Sequence, residues 1–274
     1  MTSTTVELRR VPLPLFSKAL TDSWRSLIGW MIGLAAVISL YLPLYPSIGG
    51  NAQMKGLISS LPPELTKAIG YDDIASGAGY VQATIFGLLG FLLVSIAAIS
   101  WGAAAIGGDE EAGQLELTLA HGVTRMQIVL ERYAAMALRI VILGAWVFAL
   151  IALFNGPAET TLDVAKLAGS SALFTGLGLL TGSAALMAGA ISGRRIWGIG
   201  VGAFVPVIGY VFNAVGNQSK DLEWLHALSP ISWAYADKPL INGANGWALL
   251  ALYGISLVMA AVSVMALRRR DVGV

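Results

Sequence analysis

The chain has 274 residues, 56% of them hydrophobic and 12% charged, with 17 Lys or Arg against 16 Asp or Glu, and its mean hydropathy is +0.73. A net charge of +1 and the absence of cysteine exclude disulfides, Cys-type zinc sites, iron–sulfur clusters and thiol catalysis, and leave no electrostatic footprint for nucleic acid. Such a chain is an all-α polytopic membrane protein, because only helices or closed barrels satisfy the backbone in lipid and the apolar runs lack the period-two alternation of barrel strands.

In chain order, Glu7, Arg9 and Arg10 lead into a mixed segment rather than a short apolar core with a cleavage site, so the first span is expected to do the targeting itself. Over 12–25, Leu13, Phe16, Leu20 and Trp24 fall on one helical face, with Ser17, Lys18, Thr21, Asp22 and Arg25 on the other. That pattern reads as a helix lying in the membrane interface, with a cytosolic tail continuing the first span as the alternative. Six charge-free gaps follow, Ser26–Met54, Ile74–Gly108, Ile140–Ala158, Leu167–Gly193, Ile196–Ser219 and Pro239–Leu267. Each reaches the ~18 apolar residues of a spanning helix. They place a single transmembrane domain over 1–274, with spans at 26–45, 81–106, 130–154, 165–191, 197–216 and 247–267. With both termini in the cytosol, 12 of the 17 basic residues, including every Arg, fall on the cytosolic side, as the retention of basic residues requires.

The loops 46–80 and 217–246 then lie outside. The first holds Pro62-Pro63 and a short helix over Glu64–Ile69 closed by Gly70. Asp72-Asp73 in the same loop reads as a solvated tip rather than a cation site. Gly178 with Gly182, Gly189 with Gly193, and Gly198 with Gly202 are small-xxx-small steps that allow close helix approach, and Pro206 interrupts the fifth span's hydrogen bonding.

Between the second and third spans lies a charged, helix-friendly stretch, Gly107–Arg132. Asp109, Glu110 and Glu111 after Gly107-Gly108 are expected at a helix N-terminus, where carboxylates meet the positive end of the dipole. Leu115 and Leu119 supply an apolar edge, Glu116 stays on the polar side, His121-Gly122 stops the helix, and Thr124 caps the next one, which starts at Arg125. The expected element is a short helix over 109–122, parallel to the membrane.

Glu110-Glu111-x-Gly113-x-x-Glu116-Leu117-x-Leu119 followed by Thr124-Arg125 resembles the permeases of the type-two ABC exporter class. Leu61-Pro62-Pro63-Glu64-Leu65, Leu228-Ser229-Pro230-Ile231-Ser232-Trp233 and Pro239-Leu240 are similar to further features of that class, so the resemblance covers nearly the whole chain. His121-Gly122 stands where many members carry a Ser-x-Pro turn, and Glu131-Arg132 where a Lys is usual. The resemblance implies six spans with cytosolic termini and a coupling helix that docks into a groove of a nucleotide-binding subunit. Asp109, Glu110, Glu111, Gly113, Glu116, Leu119 and Arg125 are the coupling residues it points to. ABC ATPase subunits, a second permease subunit in a homo- or heterodimer, and membrane lipids are the implied partners.

The residues argue against catalysis by this chain. It lacks G-x-x-x-x-G-K-[ST], so it binds no cofactor of its own, and ATP and Mg would sit on the partner ATPase. It also lacks H-E-x-x-H, and His121 and His226 fall on opposite sides of the membrane, so no metal site is expected. No polar cluster for a lipid-modifying enzyme can be assembled. Arg139 alone carries charge into a span, about 10 Å deeper than Arg132 at 1.5 Å per residue. It is expected to snorkel, to pair with the Glu131 region or another span, or to face an inner vestibule. Aromatics such as Trp30, Phe86, Trp146, Phe174 and Tyr210 suit an apolar pathway and equally a packed core. The expected function is ATP-driven export of a hydrophobic or amphipathic small molecule, such as a drug, antibiotic or lipid-like compound, across a bacterial cytoplasmic membrane. A secondary transporter or membrane scaffold working without nucleotide is the alternative.

Overall fold

The computed structural model describes residues 13–48 and 75–271. The proline-rich stretch Leu61-Pro62-Pro63-Glu64-Leu65, the expected helix over Glu64–Ile69 and Asp72-Asp73 lie outside those residues. Among the described residues all regular structure is helical. Six helices are long and apolar enough to cross a membrane: α1 (Pro14–Tyr41), α2 (Gly77–Glu111), α4 (Arg125–Phe154), α5 (Val164–Ser192), α6 (Arg195–Gly216) and α9 (Gly246–Arg269). The short α3 (Gln114–Ala120) links α2 to α4. Between α6 and α9 the chain forms a 3₁₀ segment (Lys220–Leu228), α7 (Pro230–Tyr235) and α8 (Pro239–Asn242).

The interfacial helix expected over 12–25 is not a separate element. α1 runs unbroken from Pro14 through Trp24, Arg25 and Ser26 to Tyr41. Nothing in Thr21–Ser26 breaks a helix, since neither Gly nor Pro interrupts it, and the two-faced segment forms the first turns of the spanning helix. Two indole N–H groups fasten α1 to its neighbours: Trp146 Nε1 donates to Met31 O at 2.9 Å and Trp101 Nε1 to Ser26 Oγ at 3.1 Å. Trp146 therefore serves the core.

α5 is the hub. Buried residues make up 89% of its most apolar stretch, against 17% in α1 and in α6, and it packs on α2, α4, α6 and α9. Its small residues make this possible, since lipid tails are as apolar as Leu and association depends on close van der Waals fit. A Cβ at Gly178 would come within 2.7 Å of Val94 and 3.0 Å of Ile140, and one at Gly182 within 3.0 Å of Met136 Sδ. Across the α6 contact, a Cβ at Gly198 would sit 2.9 Å from Ala103 and one at Gly202 2.8 Å from Ala185. The glycine steps are therefore helix–helix contacts. Phe86 and Phe174, both fully buried, pack edge to face with centroids 5.5 Å apart between α2 and α5, a favoured aromatic geometry.

The chain reversals assign ends. The start of α1 and the ends of α2 and α9 gather with α3 at one end, the basic end, where Arg125, Arg132, Arg194, Arg195, Arg268, Arg269 and Arg270 lie. Tyr80 Oη donates to Tyr41 O at 2.8 Å at the far end, which also holds α7 and α8.

Candidate functional site: the junction at the basic end

The acidic run does not start a helix. Gly108 keeps a right-handed φ of −67°, and α2 continues through Asp109, Glu110 and Glu111 as its last turn. The reason is steric. Gly107 presses against the chain at the start of α6, where a Cβ would lie 2.8 Å from the Arg194 carbonyl carbon, so Gly107 serves close approach rather than a break, while Gly108 has room for a side chain. The break comes at Gly113, whose φ of +68° is the left-handed conformation that ends helices. The expected helix over 109–122 is thus divided at Ala112-Gly113, and the three acids sit at the negative end of α2. α3 then stops at His121-Gly122, with Gly122 at φ +79°, and Thr124 Oγ1 accepts from Gln127 N at 3.2 Å to cap α4.

Carboxylates at a helix C-terminus are unfavourable alone, and each of the three finds a compensating partner. Asp109 pairs with Arg132 of α4. Glu110 takes a two-pronged ion pair from Arg270, with Nη1 to Oε1 at 2.8 Å; such forked pairs combine charge with geometric specificity. Glu111 Oε1 accepts from Arg195 N at 3.0 Å, at the start of α6. That places a carboxylate on an orphan N–H at the positive end of α6.

Two further groups of α4 complete the junction. Glu131, only 3% exposed, accepts from Leu15 N at 2.8 Å, Phe16 N at 2.9 Å and Gln127 Nε2 at 2.6 Å. It caps α1, whose own N-cap residue, Leu13, has no side chain able to do so. Arg125 Nη1 donates to Leu267 O at 3.0 Å and Arg270 O at 2.6 Å, satisfying the carbonyl end of α9. Gly193, the left-handed residue after α5, lies against the Glu110–Arg270 pair, where a Cβ would be 2.7 Å from Glu110 Oε1. The basic ends of all six long helices therefore meet at the α2–α3–α4 segment.

α3 presents two sides. Leu115 is fully buried and Leu119 partly so, packed on the core. Leu117 is 65% exposed, with Glu116, Gln114, Glu111 and His121 exposed around it. Of the residues singled out from sequence, Asp109, Glu110 and Arg125 are engaged within the chain, Gly113 is the turn and Leu119 faces inward. Glu111 and Glu116 remain on the surface. Sequence reasoning missed Leu117 and Arg270: a lone leucine carries no signal of exposure, and the arginine is 160 residues from its partner.

Arg139 is 6% exposed and does not snorkel into solvent. Its Nε donates to Ala135 O at 3.1 Å, and its guanidinium lies 4.8 Å from the Trp101 ring centroid, a cation–π contact. Among the described residues it has no acidic partner within salt-bridge reach, and no cluster of metal-ligating side chains occurs.

No curated protein matches the chain significantly. Residues 13–272, nearly its whole length, match the profile of the ABC-2 family transporter protein. Six apolar helices, a basic junction and that match together make this chain a multi-pass membrane permease of the ABC-2 transporter family.

Proposed function

We propose that this permease is the transmembrane part of an ATP-driven exporter, with α3 as the coupling helix and the basic end in the cytosol. The exposed face around Leu117, flanked by Glu111 and Glu116, offers an ATPase subunit an apolar anchor with charged neighbours that set register. One observation carries the reading: the chain on either side of α3 is fastened by charged hydrogen bonds to α1, α6 and α9, so a push on α3 reaches every span as a rigid-body displacement.

In this reading two permease subunits pair with two ATPase subunits, which hold ATP and Mg. Closure of the ATPases displaces the junction and reorients the spans. The cargo is a hydrophobic or amphipathic small molecule, because the interior of the spans is apolar and aromatic and Arg139 is their only interior arginine. The test is co-purification from the native host in mild detergent. A P-loop ATPase recovered in stoichiometric amount with the wild-type chain and lost with Leu117→Asp supports the coupling face. An ATPase retained by that variant, or a chain that purifies alone, overturns it.

A further inference from the structure

The buried Arg139 leaves part of its guanidinium unused. Its Nε donates to Ala135 O one turn back, so the side chain leans toward the start of α4 and the basic end. The group lies on Trp101, 4.8 Å from the ring centroid, and the indole N–H of Trp101 is fixed on Ser26 Oγ of α1. The two Nη groups of Arg139 have no acceptor among the described residues. Unlike Arg132 Nε and Arg270 Nε they are not sealed off, and they keep some accessible surface.

The arginines of the junction are better provided for, since Arg125, Arg132 and Arg270 each meet a carbonyl or a carboxylate through Nη1. Arg139, at 6% exposed, meets only the Ala135 carbonyl and an aromatic ring. A cation held in so little water is costly unless an opposite charge accompanies it. The free edge of the guanidinium presents parallel N–H groups, the fork that fits two oxygens of a carboxylate or phosphate.

The depth of that edge selects the source of the anion. α1 and α4 run side by side in constant register: Leu15 N and Phe16 N reach Glu131, and Met31 O receives Trp146, at separations of 116, 115 and 115 residues. Arg139 therefore stands level with Ser23 and Trp24. Lys18, Asp22 and Arg25, the charges of α1, all precede Ser26, where its charge-free stretch begins. At 1.5 Å per residue the 28 residues of α1 extend about 42 Å, more than the ~30 Å hydrocarbon core. The guanidinium thus sits where headgroups meet hydrocarbon at the basic end, the depth of a lipid phosphodiester.

Beside it, α1 has an open strip. Ser26, Gly29 and Gly33 follow at helical spacing, on the side turned to α2, because Ser26 is the residue that Trp101 reaches. A Cβ at Gly29 or Gly33 would meet nothing within 4 Å, in contrast to the crowded glycines of α5. The strip leads from Trp101 away from the basic end, the direction an acyl chain takes from a phosphate at Arg139.

We propose that Arg139 and Trp101 form the headgroup site of a resident phospholipid, whose phosphodiester takes the free Nη edge and whose acyl chain lies along Gly29 and Gly33. The site needs neither ATPase nor cargo and stands apart from the export reading.

The experiment is native mass spectrometry of the full-length chain, delipidated in detergent and titrated with dioleoyl phosphatidylglycerol, with the thermal midpoint followed in parallel. One retained lipid per chain is expected, and it should raise the midpoint. Arg139→Gln should weaken retention about tenfold, as the loss of a charged hydrogen bond implies. The same variant should leave the lipid-free midpoint unchanged or higher, because it removes an uncompensated charge; a lowered lipid-free midpoint would count against the proposal. Gly29→Leu with Gly33→Leu should weaken retention similarly with the charge intact. Arg268→Gln, at an exposed position near the end of α9, should leave it unchanged. Equal retention by wild type and Arg139→Gln overturns the site. Equal retention of dioleoylglycerol, which lacks the phosphate, overturns the role of the arginine, and the same stabilisation by inorganic phosphate alone overturns the lipid as its source. A lipid-free dimer dispersed by the glycine substitutions would assign the strip to a second copy instead.

Discussion

The two ends of the helical bundle are held by different chemistry. At the basic end, charged side chains reach between helices: Glu110 to Arg270, Glu131 to the start of α1, Arg125 to the end of α9. At the far end the connections are mostly neutral, with Asn155 spanning its own turn to Leu162 and Ser229 fastening α7 to Gly209, and Lys166 Nζ, which donates to Ile241 O of α8, is the long-range charged exception. At the charged end ion pairs and charged hydrogen bonds join the helix termini directly, whereas the far end folds short helices around a cavity.

Substitutions at each end break or sharpen that contrast. The largest effect is expected for Glu131→Ala, which orphans two N–H groups at the start of α1. It should cost about 2–4 kcal/mol, read as a lower thermal midpoint in detergent, with Glu131→Gln retaining part of the loss. Glu110→Gln should cost about 1–2 kcal/mol, because the pair with Arg270 is only partly buried. In a double-mutant cycle with Arg270→Gln that coupling should shrink at high salt. Ser229→Ala at the far end should cost a similar 1–2 kcal/mol, with no salt dependence. If both ends respond equally to salt, the contrast fails. Gly113→Ala meets no steric neighbour, so its cost is backbone strain alone, about 1 kcal/mol. Leu117→Asp should change stability by no more than about 0.5 kcal/mol, since the side chain is mostly exposed. A large loss of stability there would show that this face serves the fold.

Much of this molecule was legible in advance. The six spans follow from apolar runs too long for anything but lipid, and His121-Gly122 and Thr124 mark the end of α3 and the start of α4 because turn and cap chemistry is local. The acidic run was misplaced for an equally physical reason. Gly107-Gly108 reads as a helix break, but whether a glycine bends the chain or admits a neighbour depends on what lies against it, and here α6 does.

By itself the sequence determined the helical class, the number of spans, the segregation of arginine to one end and the family, because each depends on composition or on order along the chain. Only the tertiary structure decided that Asp109 and Glu110 face inward as ion pairs, that Glu131 caps a helix 116 residues away, and that Gln82 and Tyr235 line a common cavity. These are pairings between distant segments. Their energies arise from burial and hydrogen-bond geometry, which exist only once the helices have packed around α5.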